Sequence, residues 1–207
     1  MKINILLISL VLFFGCSPSP VVKDIYSDKE FNSLVFSKSI VNVYEPITII
    51  HAKNSAGLIR EKLPVIIKNK LSNSFQELSI NISKGNLPKY FQGLRIDSRK
   101  KEFDKFMKRQ KADYLIIVKQ VELKKSISFY SNEPAFGNRD LRSAKDREAP
   151  MKRTNGSILI EIWSSNLKKM VFQCEIDLKS NLSDNTKDKI TPLEISIEKF
   201  IEQLLKI

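Results

Sequence analysis

A chain of 207 residues with 42% hydrophobic and 28% charged residues can bury one core of ordinary size, which excludes a disordered polypeptide. A net charge of +12 would suit nucleic acid, but the amino terminus reads as an export signal, and an exported protein rarely meets nucleic acid. The excess points instead to anionic head groups, lipopolysaccharide phosphates or acidic protein surfaces, with a solvated surface that has no partner as the plain alternative.

Lys2 is followed by an apolar run from Ile3 to Gly15, and the run closes at Cys16. About a dozen apolar residues are too few to cross a bilayer, which takes roughly 20, so cleavage fits better than a permanent span. The segment Leu12, Phe13, Phe14, Gly15, Cys16 resembles the lipobox of bacterial lipoproteins, with the departure that Phe13 stands where the family usually carries Leu. The resemblance implies a diacylglyceryl group on the Cys16 sulfur, a mature chain beginning at Cys16 and stable anchoring by more than one acyl chain. The alternatives are a plain secretory signal and an uncleaved anchor. In the family an Asp after the cysteine marks inner-membrane retention, so with Ser17 there the resemblance implies the outer membrane by default, and the domain is expected on its periplasmic face. Residues 1–15 then form the signal peptide, 16–33 a lipid-anchored tether and 34–207 a single domain. With Cys16 acylated, Cys174 is the remaining thiol and no intrachain disulfide can form.

From Leu34 to Lys53 the chain is rich in Val, Ile, Phe and Tyr. Pro46 divides it into a short extended piece and a firmer strand, Ile47 to Ala52. Ile59, Leu63, Ile67, Leu71 and Phe75 recur every four residues as one helix face, in which Pro64 marks a kink or the true first turn. A short strand is expected over Leu78 to Ser83 and a helix over Ser98 to Lys111, with Phe103, Phe106 and Met107 as its stripe. Ala112 to Lys124 reads as a strand that starts apolar on both faces in the middle of a sheet and emerges at an edge. Residues 125–154 have no clear period and read as a long loop.

Ile158, Ile160 and Ile162, then Met170, Phe172, Cys174, Ile176 and Leu178, alternate as two strands of a hairpin. Both sets fall on even positions, so a three-residue connection, Ser165, Asn166, Leu167, would keep them on one face and set Trp163 opposite Lys169. Thr191, Pro192 and Glu194 form a capping-box start for a last helix with the stripe Leu193, Ile197, Phe200, Ile201 and Leu204.

The expected fold class is α+β, a single mixed sheet of about five strands with two to three helices packed on it, in the order β-α-β-α-β-β-β-α. That order, with the segment KRQKADYLIIVKQVEL, the hairpin ILIEIWSSNLKKMVFQCEIDL and the helix ISIEKFIEQLLKI, resembles an envelope fold. The fold is shared by the Tol translocation protein B amino-terminal domain, the curli secretion lipoprotein, penicillin-binding-protein activator lipoproteins and auxiliary lipoproteins of ABC-type lipid transporters. The resemblance implies a binding or assembly role rather than catalysis.

A direct search for chemistry agrees. The single histidine, His51, shares a strand face with Ile47 and Ile49, and Cys174 sits on an apolar face where a thiol is inert. One histidine and one free cysteine make no zinc set, and six glycines form no phosphate-cradling loop. Glu175 and Asp177 read as a solvated edge rather than an acid/base pair. No cofactor or metal is expected.

Two regions could bind. Arg95 to Lys111 carries eight bases against three acids, and Arg99, Lys100, Lys101, Lys105, Lys108 and Arg109 form a candidate anionic-surface contact. The long loop offers Phe129, Tyr130, Phe136, Arg139 and Arg142 as partner-binding residues, with Trp163 added from the hairpin. The leading expectation is a non-enzymatic outer-membrane lipoprotein that docks on an envelope protein complex as an accessory subunit. A module that binds acyl chains or anionic lipid head groups is the alternative.

Overall fold

The computed structural model describes residues 20–50, 56–83, 87–92, 100–128, 151–180 and 191–207. Among the described residues twelve elements follow one another: β1 (Val21–Ser27), α1 (Ser33–Phe36), β2 (Ile40–Tyr44), β3 (Thr48–Ile50), α2 (Ala56–Ser74), β4 (Ser79–Ser83), a 3-10 turn (Lys89–Gln92), α3 (Lys100–Arg109), β5 (Tyr114–Ser128), β6 (Met151–Ser164), β7 (Lys169–Ser180) and α4 (Thr191–Leu204). The seven strands make one mixed sheet in the order β1-β7-β6-β5-β2-β4, and β3 continues alongside β5 past the end of β2. The pairs β1–β7, β7–β6 and β6–β5 are antiparallel, whereas β2–β5, β2–β4 and β3–β5 are parallel. The expected α+β class and single mixed sheet are observed, with more strands than expected.

Two corrections account for the additional elements. Residues 21–27, expected in the tether, form edge strand β1, and 33–36 form a one-turn helix capped by the Asn32 side chain on the N–H groups of Leu34 and Val35. Most of β1 is exposed, so it lacks the apolar alternation that marks a half-buried strand in a sequence. Around Pro46 the weights invert. The piece before it, β2, is an interior strand between β5 and β4 with Val41 and Val43 fully buried, and the piece after it is, among the described residues, the three-residue β3.

One face of the sheet is covered by α2 and α4. In α2, Ile59, Leu63, Ile67 and Leu71 point into the core, and in α4 so do Leu193, Ile197, Phe200, Ile201 and Leu204. Pro64 is buried well inside α2 rather than in its first turn, so the Arg60 carbonyl lacks its usual backbone donor. Phe31, Phe36, Phe75, Tyr114, Phe172 and Phe200 interlock within this layer, with Phe36 and Tyr114 ring centroids 5.3 Å apart.

Two bulges decide which side chains reach that layer. In β5 the register shifts between Val118 and Gln120, so the core-facing set moves from Tyr114, Ile116 and Val118 to Val121 and Leu123. In the β6–β7 hairpin the connection is the four-residue turn Ser165 to Lys168, not a three-residue one, and Lys168 takes φ 53°. Ser164 therefore pairs with Lys169, and Trp163 with Met170 instead of Lys169. A register shift between Ile162 and Trp163 then brings Ile162 opposite Phe172, which restores both even-numbered sets to one face. Val171 and Phe172 both enter the core, and Met170 leaves the set in which alternation alone would place it.

The two ends of the sheet differ. At one end the links are short and stitched to one another: Asp28 N–H donates to Val171 O, Ser79 N–H to Ser39 O, Asp113 N–H to Ile40 O and Ser165 N–H to Asp113 O, each within 3.1 Å. The chain enters at the other end, where β5 finishes, β6 begins and β7 finishes. There residues 125–128 and 151–154, expected in the long loop, continue as paired strand.

Candidate docking surface

The second face of the sheet carries α3 and the 3-10 turn. Phe103 and Met107 of α3 are buried against Leu115 and Ile117 of β5, Tyr44 of β2 and Phe91 of the turn, with Phe106, Tyr90 and Trp163 half-buried around them. The rings are interleaved. Tyr90 and Phe103 centroids lie 4.4 Å apart, Phe91 and Trp163 5.0 Å, and Phe103 and Trp163 5.6 Å. Gln110, just past the helix, fixes its end to the sheet by accepting from Tyr44 Oη at 2.9 Å and Asn42 Nδ2 at 3.3 Å.

Once the apolar stripe is spent inward, the outward face of α3 is Lys101, Glu102, Lys105, Lys108 and Arg109, all exposed, and Lys111 extends it. None of these five bases has an ion-pair partner among the described residues. Some lysines elsewhere are paired, whereas Lys29, Lys62 and Lys68 have, like these, no ion pair among the described residues. Lys23 bridges Glu175 and Asp177 at 3.4 and 2.7 Å, and Lys169 bridges Asp28 and Glu30 at 3.0 and 3.2 Å. The sequence-expected residues Lys101, Lys105, Lys108 and Arg109 are thus brought onto one surface, and Lys100 opens the same helix.

Beneath this layer lies a polar group that sequence reasoning missed. Glu161 of β6 is buried at 6% exposure, accepts a 2.8 Å hydrogen bond from Trp163 Nε1, and stands 3.9 Å from Lys119 Nζ. Lys119, the extra residue of the β5 bulge, donates from Nζ to the Phe91 carbonyl and so ties the 3-10 turn to the sheet. Burial pushes the Glu161 carboxyl above the ordinary glutamate range, and the Trp163 N–H and Lys119 partly offset this. Lys119 continues the face of Leu115 and Ile117, and Glu161 shares the face of Trp163, so alternation sets both on this side; the cover supplied by the 3-10 turn and α3 is what makes them buried.

No family model matches the chain, and no curated protein matches it. The fold is similar to that of PelC. A chain of the PelC dodecamer from Paraburkholderia phytofirmans superposes with a TM-score of 0.51 at 12% identity, covering 89% of this chain and 96% of that one. A neuraminyllactose-binding hemagglutinin homolog from Helicobacter pylori gives 0.47 at 11% identity, over 89% and 88% of the two chains. A lipoprotein from Neisseria meningitidis gives 0.39 at 11%, over 82% and 99%. At such identity the likeness to PelC concerns the backbone arrangement and assigns no residue a role.

Cys16, Phe129, Tyr130, Phe136, Arg139, Arg142 and Arg99 lie outside the described residues, as does His51. Trp163 stands on the face opposite Ile160 and Ile162, as its parity requires, but that face is not free surface at this point. The PelC-like sheet is covered there by the 3-10 turn and α3, and the ring is half-buried against them. Among the described residues no group of three His, Cys, Asp or Glu is placed to hold a metal ion, and no helix is long and apolar enough to cross a membrane. An open depression of about 500 Å³ lies between α1 and the hairpin turn, lined by Leu34, Val35, Lys38, Asp113, Tyr114 and Asn166.

Cys174 is fully buried, and burial pushes its thiol up to about 12. The sign is plain. The thiolate is suppressed in the folded state at neutral pH, so a maleimide or disulfide reagent should leave native Cys174 unmodified for hours and react within minutes once denaturant is added. Rapid labelling of the native protein would overturn that burial.

Proposed function

We propose that this protein is a non-enzymatic lipoprotein, anchored through Cys16 on the periplasmic face of the outer membrane, that serves as an accessory or assembly subunit by docking on another envelope protein. The observation that carries the reading is a filled core on both faces of the sheet beneath a basic helix face that has no ion-pair partner among the described residues. A docking subunit needs an exposed charged patch over a packed interior, whereas a lipid carrier needs an apolar groove open between helices and sheet. The core residues of α2, α4 and the strands they cover are buried almost completely, which favours docking over lipid carriage. The lipobox-like segment ending at Cys16 and a fold similar to that of PelC, whose structure is a dodecamer, support an envelope assembly role. The partner surface is expected to be acidic where it meets Lys101, Lys105, Lys108 and Arg109.

The test is crosslinking in living cells followed by affinity purification and mass spectrometry. The parent chain is compared with Cys16→Ala and with the quadruple reversal K101E/K105E/K108E/R109E. One dominant envelope protein should be recovered with the parent, be lost with Cys16→Ala and fall at least about tenfold with the reversal. Recovery of lipid without a stoichiometric protein would overturn the docking reading in favour of a lipid-handling module.

A further inference from the structure

Val21, the first residue of β1, stands in one row of paired residues with Asp177 of β7, Ser157 of β6 and Glu122 of β5. Past that row β5 and β6 continue as a pair, from Leu123 opposite Gly156 to Ser128 opposite Met151, toward the side from which the chain enters β1. Six further residues at a strand rise of about 3.4 Å carry this ribbon roughly 20 Å beyond Val21. The chain from Cys16 to Val21 is five residue steps, at most about 18 Å when fully extended. A lipid on Cys16 therefore cannot hold the bilayer farther from Val21 than the ribbon reaches.

The composition of the ribbon suits that meeting. Its twelve positions include Lys124, Lys125, Lys152 and Arg153 and no acid, whereas residues 129–150 between the two strands carry four bases and four acids. The positive charge is thus gathered in the paired strands and not in the segment that joins them.

We propose that the β5–β6 ribbon is a membrane contact, in which these four bases take the phosphates of anionic phospholipid head groups beside the lipid anchor. The proposal rests on the reading of Cys16 as the lipid attachment site. A lipid chain and a basic patch act together, since each base near an anionic surface adds attraction that salt screens. With the ribbon on the bilayer, α3 lies on a face of the sheet and its basic side remains free for a protein partner.

The test uses the lipid-free mature chain, residues 16–207 with Cys16→Ser, and vesicles of phosphatidylglycerol mixed with phosphatidylcholine or of phosphatidylcholine alone. Binding to the anionic vesicles, absent with phosphatidylcholine and weakened by salt, is expected to fall on the order of a thousandfold in K124Q/K125Q/K152Q/R153Q. The variant K101Q/K105Q/K108Q/R109Q removes the same charge from α3 and should retain most of the binding. Equal losses in the two variants, or none in the first, overturn the proposal. The mass of Cys16 peptides from the cellular membrane fraction tests the anchor separately. An unmodified Cys16 with ribbon-dependent vesicle binding would remove the anchor and uphold the contact, whereas an acylated Cys16 without such binding would overturn the contact alone.

Discussion

Gly156→Ala should destabilise the protein by about 3 kcal/mol, roughly 6–12 °C in Tm for a chain of this size. An added Cβ at Gly156 would overlap the Glu122 carbonyl oxygen and lie 2.9 Å from the Glu122 carbonyl carbon and 3.2 Å from Leu123 Cα. All three are backbone atoms of the neighbouring strand, so no rotamer change relieves the clash and β5 must move away from β6. That movement breaks ladder hydrogen bonds where Val121 and Leu123 enter the core. Gly57 in α2 is the control, since a methyl there meets nothing within 4 Å, and Gly57→Ala should leave stability unchanged or raise it by up to about 1 kcal/mol. Thermal denaturation followed by circular dichroism reads both. A Gly156→Ala protein that melts with the parent would mean the two strands do not approach as described.

Lys119→Met should cost about 2–3 kcal/mol at pH 7, most of it recovered in the double variant with Glu161→Gln. The lysine supplies the Phe91 carbonyl with a donor and Glu161 with a countercharge 3.9 Å away, with side-chain exposures of 19% and 8%. Removing it leaves an ionised carboxylate in an aromatic layer with the Trp163 N–H as its remaining partner. The pH dependence follows from the raised pKa. A carboxyl that protonates more readily folded than unfolded contributes stability in full below its unfolded value, about 4.3, and that contribution is lost as pH rises through the folded value. Glu161→Gln alone should therefore melt higher than the parent at neutral pH, with the advantage vanishing below about pH 4.3. The cost of Lys119→Met should shrink over the same acid range. Trp163 is the single tryptophan of the chain, so its fluorescence reports the same event locally. A Lys119→Met cost that does not change with pH would assign the lysine to the Phe91 carbonyl alone.

Much of the architecture is legible in the residues because it rests on periodicity. The stripe Ile59, Leu63, Ile67, Leu71 locates α2, the four apolar residues Leu115 to Val118 mark a strand covered on both faces, and Thr191 to Glu194 announce α4. What escapes is structure without a period. Strand β1 is an exposed edge held by pairing with β7, and α1 is a single turn defined by the Asn32 cap. The hairpin shows the limit most clearly. Parity correctly places Ile158, Ile160 and Ile162 with Phe172, Cys174 and Ile176, but it cannot distinguish a three-residue connection from a four-residue turn followed by a bulge. Trp163 and Met170 depend on that difference. The basic face of α3 follows from the Phe103, Phe106, Met107 stripe, because the remaining positions of a short helix must face outward. The Lys119–Glu161 pair does not follow, since alternation sets both on the face of Leu115, Ile117 and Trp163 but does not show that the 3-10 turn and α3 cover that face.

The unlike ends of the sheet bear on how such a protein can change over generations. Where Asp28, Ser39, Asp113 and Ser165 are laced together by main-chain bonds, one added or lost residue would disturb several elements at once. Strands β3, β4, β5 and β7 finish at the opposite end. Insertions there leave the core untouched, so descendants of this fold can exchange what they meet at the chain-entry end while inheriting the same interior.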